Sequence, residues 1–311
     1  MLEVARTLEG PAVAGPRPVP APTETYGAGF LFHYSIKYQN FFKRFQEVGG
    51  HADIYEVLGV QYNPDPDSLA RFAAQLNKPI TLHSFEYCLG NVERPPKKTL
   101  DRIQTLARNC KAAYIGEHMA IMGLGDYYCG GFMQPPGTDE QTLVMIDNLI
   151  DAKNNSCCPI IVENPSQFVN QYGRASIGEQ LRDLSVGADV GILLSLSNIS
   201  ISEEFHKQDR EEFFSRIPLD RVRQIHILCG NGEELNWPGM QKTKEEHEWA
   251  LRMLCQLAKE PACRPATVMF ELEAGTPSIA EPERLRDRLI MARELFFGAN
   301  ETAHRTNGGI Q

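Results

Sequence analysis

The feature that most restricts this chain is an alternation repeated eight times between Tyr26 and Phe297. Each unit pairs a short run rich in β-branched and aromatic residues with a longer segment of helical spacing. YGAGFLFHY precedes SIKYQNFFKRFQEVG, ADIYEVLGV precedes DPDSLARFAAQLN, and PITLHS precedes KKTLDRIQTLARNCK. The series continues to ATVMFELEAG and EPERLRDRLIMARELFF. In the longer segments apolar residues recur at three- and four-residue spacing, the signature of one buried helix face. Asp65 with Pro66, Thr138 with Asp139 and Glu140, and Glu281 with Pro282 supply first-turn signals. Eight strand–helix units are the arithmetic of a (β/α)8 TIM barrel, commonly ~250 residues long. A doubly wound sheet would more often place a glycine-rich phosphate turn after its first strand, and YGAGFLFHY followed by SIKYQN makes none. The expected organisation is one α/β barrel domain over 26–298. A Pro/Ala-rich lead-in (1–25) and a polar tail (299–311) flank it and are expected to be disordered.

Charge narrows the partners. Thirty-one Lys and Arg against forty Asp and Glu leave a formal net charge of −9, with no basic stripe to follow a phosphate backbone. Nucleic acid is therefore not an expected partner. No apolar run approaches the ~20 residues of a membrane span, so no membrane partner is expected either. Met1–Glu9 lacks the basic-then-apolar order of a secretion signal. The eight cysteines form no C-x-x-C pair. A cytoplasmic location with reduced thiols follows as the expectation.

The ends of the strand-like runs are unusual. They carry His33, Glu56, His83, Glu117 with His118, Glu163 with Asn164, Ser195 to Asn198, His226, and Glu271 with Glu273. Taken singly, a strand histidine is more often a hydrogen-bonded core residue than a ligand. A single terminal glutamate reads as a helix cap or ion-pair partner, and Glu56 and Glu273 fit that reading equally well. His51, His206, His247 and His304 fall in turns, helices or the tail and receive no role. Taken together, the strand ends of a barrel meet at one face, where chemistry sits. Carboxylates converging there would raise one another's pKa values unless something positive held them ionised. No lysine or arginine stands at these strand ends, so a metal cation is the economical counter-charge. Mixed imidazole and carboxylate ligands suit iron, manganese or zinc.

The order of these motifs resembles the multinuclear non-heme iron-dependent oxidative enzymes, the barrel family that includes the methanobactin-biosynthesis oxidase. Leu82-His83-Ser84 is similar to a strand ending in His-Gly, and Gly116-Glu117-His118-Met119 to a Ser-Asp/Glu-His-Leu motif. Glu163-Asn164-Pro165-Ser166 matches Glu-Asn-x-Ser, the most specific of the set. Ser195-Leu196-Ser197-Asn198 stands where members carry Asp-x-Asn-Asn, so Ser195 and Ser197 replace an Asp and an Asn. His226 matches a late-strand His, and Phe270-Glu271-Leu272-Glu273 a final acidic motif. After His226 the chain reads Cys229-Gly230-Asn231 where members show Gly-His, and Glu233–Gln241 holds no Asp-x-His pair.

The resemblance implies a xylose-isomerase-like barrel holding about one or two iron ions rather than a complete trinuclear set, with manganese or zinc as alternatives. Glu163, His226 and Glu271 are the first choice of metal ligands, and His83, Glu117 and His118 complete the candidate set. His83 and His118 would alternatively position O2 and substrate, while Asn198 and Asn164 orient ligands through hydrogen bonds. The implied activity is O2-dependent oxidation of a residue, often cysteine, in a ribosomally made precursor peptide, beside a separate peptide-binding protein. Two other readings stay open: a divalent-metal sugar isomerase or epimerase, and a degenerate barrel kept as a binding scaffold.

Overall fold

The computed structural model describes residues 24–32, 36–58, 66–124, 127–167, 172–206, 209–229, 244–272 and 282–298. Most of the two expected tails, together with His33, Asn231, Glu233–Gln241 and Glu273, lie outside the described residues.

Among the described residues ten strands run in chain order: β1 (Gly27–Phe32), β2 (Ile54–Leu58), β3 (Ile80–Ser84), β4 (Ile115–His118), β5 (Ile121–Leu124), β6 (Tyr127–Met133), β7 (Ile160–Glu163), β8 (Gly191–Ser195), β9 (Val222–Leu228) and β10 (Thr267–Glu271). The helices between them are α1 (Ile36–Glu47), α2 (Pro66–Leu76), α3 (Lys97–Cys110), α4 (Asp139–Asn155), α5 (Ile177–Gly187), α6 (Leu196–His206), α7 (Arg210–Arg216), α8 (Lys244–Leu257) and α9 (Pro282–Ala292). Eight strands, all but β5 and β6, close into a parallel barrel in the order β1-β10-β9-β8-β7-β4-β3-β2. The TIM barrel expected from the alternation is the fold of this chain.

Side-chain parity divides each strand between two cores. In β1, Phe30 and Phe32 turn outward and pack on Phe41, Phe42 and Phe45. Ile225 and Ile227 of β9 and Val268 and Phe270 of β10 join the same outer cluster. Each such aliphatic or aromatic side chain contributes about 1.5–3 kcal/mol by leaving water. Tyr114, Ile161 and Leu193 form a separate small cluster with Tyr26. The outer clusters hold the helices on the cylinder, which frees the inner positions for polar groups.

Caps act as their residues direct. Thr138 accepts the Gln141 N–H at the start of α4, and Ser176 forms a reciprocal capping box with Glu179 on α5.

Two local features depart from the periodicity. The strand-like run Asp189–Ile199 stops at Ser195, where α6 begins at once. Ser195 Oγ accepts the Asn198 N–H (3.3 Å), the bond a helix N-cap makes, and this turns the chain. The stretch between Ala120 and Thr138, to which periodicity assigns nothing, forms the antiparallel pair β5–β6. No described helix is long and apolar enough to cross a membrane.

Candidate metal centre

Barrel closure brings together side chains from strands far apart in sequence. His118 and Glu163 are register partners on the adjacent strands β4 and β7. His118 Nε2 lies 3.1 Å from Glu163 Oε2, and His83 Nε2 lies 3.2 Å from the same oxygen. From the opposite side, His226 Nδ1 lies 3.1 Å from Glu271 Oε1 and 3.7 Å from Glu163 Oε1. One ligand atom each from His83, Glu163, His226 and Glu271 falls within 4.8 Å of all the others. His83, His118, Glu163 and His226 are buried, whereas Glu271 keeps 19% of its side chain exposed. That exposure places Glu271 at the solvent edge of the group.

The neighbours of this group fix its members. His118 Nδ1 donates to the Ser84 carbonyl (3.4 Å), which leaves Nε2 facing Glu163. Its ring stacks on Phe85 and on Phe132 of β6, at 4.7 and 4.3 Å between centroids. The β5–β6 pair thus walls one side of the group. Asn198 Nδ2 donates to Glu163 Oε1 (3.2 Å) and to the Asn164 carbonyl (2.9 Å). The Asn164 amide pairs with both backbone groups of Ser195, extending the register between β7 and β8.

Ser195 and Ser197 are occupied structurally. The first caps α6, and the second accepts the Leu228 N–H through Oγ (2.8 Å).

Glu117 departs from the expected ligand set. It neighbours His118 in one strand, so parity sends it to the opposite face. There Oε2 accepts the Tyr87 N–H (3.2 Å) and Oε1 accepts the His118 N–H (3.0 Å). Burial, with the nearby Glu86 carboxylate, raises its carboxyl to about 8 despite these bonds. It belongs to the wall behind the centre.

Two inner residues outside the expected ligand set complete the site: Glu56, which the sequence left open between rim and ion-pair roles, and Gln224, which it did not single out. Glu56 is fully buried, with Oε2 2.6 Å from His226 Nε2. Gln224 Nε2 donates to the same oxygen (2.8 Å), while Tyr114 donates to Gln224 Oε1 (2.6 Å). The available signals were a lone carboxylate inside the apolar run IYEVL and a glutamine two residues before His226, hence on the same face.

The buried carboxylates and imidazoles shift one another's protonation in opposite directions. Burial alone would raise the Glu163 carboxyl, but His118, His83 and His226 together hold it well below the usual carboxylate range. Burial opposes the charged form of His83 too, yet Glu163 and Glu56 carry its pKa up to about 10. Glu56 and Glu271 likewise raise His226 against burial. His118 goes the other way: burial, aided by the His83 charge, takes it down to about 4. Four buried atoms at this place, Glu56 Oε1, His83 Nδ1, Glu163 Oε2 and His226 Nδ1, make no hydrogen bond. Orphaned buried atoms are costly unless an ion or water satisfies them. Orphaned donors on a mixed nitrogen and oxygen set fit a divalent transition metal.

Residues 38–281 match the family model described as RiPP precursor modification enzyme MbnB/TglH/ChrH, where RiPP denotes a ribosomally synthesised and post-translationally modified peptide. The chain belongs to that family. Among MbnB/TglH/ChrH relatives of this chain are proteins named UPF0276. That of Rhizorhabdus wittichii is 26% identical over 218 residues, covering 70% of this chain and 76% of the relative. That of Paraburkholderia phytofirmans is 23% identical over 261 residues, covering 82% and 83%. A xylose isomerase domain protein from Salmonella typhimurium superposes with a TM-score of 0.55 at 12% identity, covering 87% of this chain and 97% of that one. The last likeness is one of fold, and it identifies the MbnB/TglH/ChrH barrel here as xylose-isomerase-like.

Proposed function

We propose that this member of a peptide-modifying family is a non-heme iron enzyme that uses O2 to oxidise a cysteine of its precursor peptide. The observation that carries the reading is the meeting of His83, Glu163, His226 and Glu271 within one ligand sphere, where Glu163 Oε2 and His226 Nδ1 face the group without a hydrogen bond. Ferrous iron bound there would supply electrons to O2 and leave a coordination position for a soft substrate thiolate.

The chain's own residues divide the remaining work. Glu163, His226 and Glu271 hold the principal ion. His83 and His118 hold a second ion or position O2 and substrate. Asn198 keeps Glu163 oriented through its amide. Phe85 and Phe132, stacked on His118, exclude water from that side. Glu271 marks the open side from which a peptide side chain enters. A separate peptide-binding protein that presents the leader completes the proposed system.

The test is protein isolated without air, analysed for metal, then given iron, O2 and a short cysteine-containing peptide encoded beside its gene. A peptide mass change coupled to O2 uptake is expected. Unchanged peptide mass with iron and O2 present would remove the oxidase reading. Turnover of a ketose with Mn2+ and no O2 uptake would replace it with the sugar-epimerase reading. Well under one equivalent of any transition metal would favour the scaffold.

A further inference from the structure

We infer that Glu56 is the positioning residue for two metal-ligating histidines at once, a single buried carboxylate fixing the rings of both His83 and His226. The inference rests on the metal-site reading above and adds to it a residue outside the proposed ligands.

The geometry is specific. Tyr55 and Val57 pack in the outer core, so parity turns Glu56 into the barrel, where none of its surface is exposed. Its Oε2 is hydrogen-bonded to His226 Nε2 at 2.6 Å, and its Oε1 faces His83 Nδ1 at 3.5 Å, an ion-pair approach without a hydrogen bond. Each ring offers its other nitrogen to the ligand group. His226 presents Nδ1 to Glu271 and Glu163, and His83 presents Nε2 to Glu163. Glu56 therefore lies behind both rings, whose centroids are 5.2 Å apart. Gln224 holds Oε2 in place from β9.

Gly116 gives an independent indication. A Cβ at Gly116 would meet Leu193 Cδ1 at 2.8 Å, His83 Nδ1 at 3.2 Å and Glu56 Oε1 at 3.7 Å. The glycine keeps clear the space in which carboxylate and imidazole approach each other. A carboxylate behind a ligating histidine fixes ring orientation and tautomer and makes the ligating nitrogen more basic. Losing such a partner typically weakens metal binding by about 10–100-fold. Here one residue would do this for two ligands.

The test titrates Co2+, as the metal alone, into metal-free full-length protein and reads both affinity and visible ligand-field bands. Glu56→Gln is expected to bind Co2+ roughly 10–100-fold more weakly than the parent, with altered bands, and Glu56→Asp to recover part of the loss. Thr81→Val, another buried change in the neighbouring strand, is the control and is expected to leave the bands unchanged. Parental affinity and bands in Glu56→Gln, or a loss no larger than in Thr81→Val, would overturn the inference. If Glu56→Gln does not fold, Glu56→Leu, which fills similar volume without a carboxylate, decides: weaker binding with altered bands supports the role, and parental behaviour refutes it. Absence of Co2+ binding by the parent protein would instead refute the metal-site reading itself.

Discussion

His226 Nδ1 stands 3.1 Å from Glu271 Oε1 across the neighbouring strands β9 and β10, while the opposite nitrogen of the same ring is held by Glu56 at 2.6 Å. The ring is thus gripped on one side and open toward carboxylate oxygens on the other. From it follow expectations about metal, protons and the groups behind the centre.

Removing a central ligand should empty the site. Glu163→Ala and His226→Ala are each expected to lose most of the metal found in anaerobically isolated protein, with affinity falling by at least about a hundredfold, beyond the usual effect of an outer partner. Elemental analysis beside circular dichroism checks this. Full metal content in both variants would place the ion elsewhere.

Metal uptake should release protons. In the metal-free chain Glu163 and Glu56 raise His83 to about 10, and Glu56 and Glu271 raise His226, so both rings are protonated near neutrality. A metal must displace those protons, and affinity should rise with pH up to about 10, by as much as tenfold per unit for each proton displaced. The sign for folding is the reverse. The raised pKa of His83 stabilises the fold fully below about 6.5, the unfolded value, and that contribution is lost as pH climbs through about 10. Calorimetric titration in buffers of different ionisation heat counts the protons, and binding without release would contradict the assignment.

Glu117 should make stability pH-dependent in the opposite sense to an ordinary paired carboxylate. Its carboxyl rises from 4.5 to about 8 on burial, so the folded state binds more protons than the unfolded one between those values. Stability therefore falls as pH rises across that window, by a few kcal/mol at most by linkage, roughly 1.4 kcal/mol per unit. Glu117→Gln removes the titration, and denaturant unfolding at pH 5 and pH 8 should show a flatter profile than the parent. An unchanged profile would show that another group carries the slope.

Ser195 should matter to the helix and not to the ion. Ser195→Ala deletes the α6 cap and is expected to cost about 0.5–2 kcal/mol, read as a lower unfolding midpoint with unchanged metal content. Loss of metal in this variant would reveal a ligand role for the serine.

The sequence on its own determined the barrel, because alternating short β-branched runs and amphipathic segments can bury both of their apolar faces in few ways. It also determined that carboxylates and imidazoles cluster at strand ends. It did not decide which of them look inward. Adjacent residues such as Glu117 and His118 must face opposite ways, yet nothing local says which enters the barrel. Nor did it show β5–β6, whose GLGDYYCGGFM has neither clean period, or the early end of β8, which a serine cap imposes. Glu56 is the sharpest case. It meets His226 across 170 positions of chain, a pairing set by closure of the cylinder and strand register, which only the folded structure brings about.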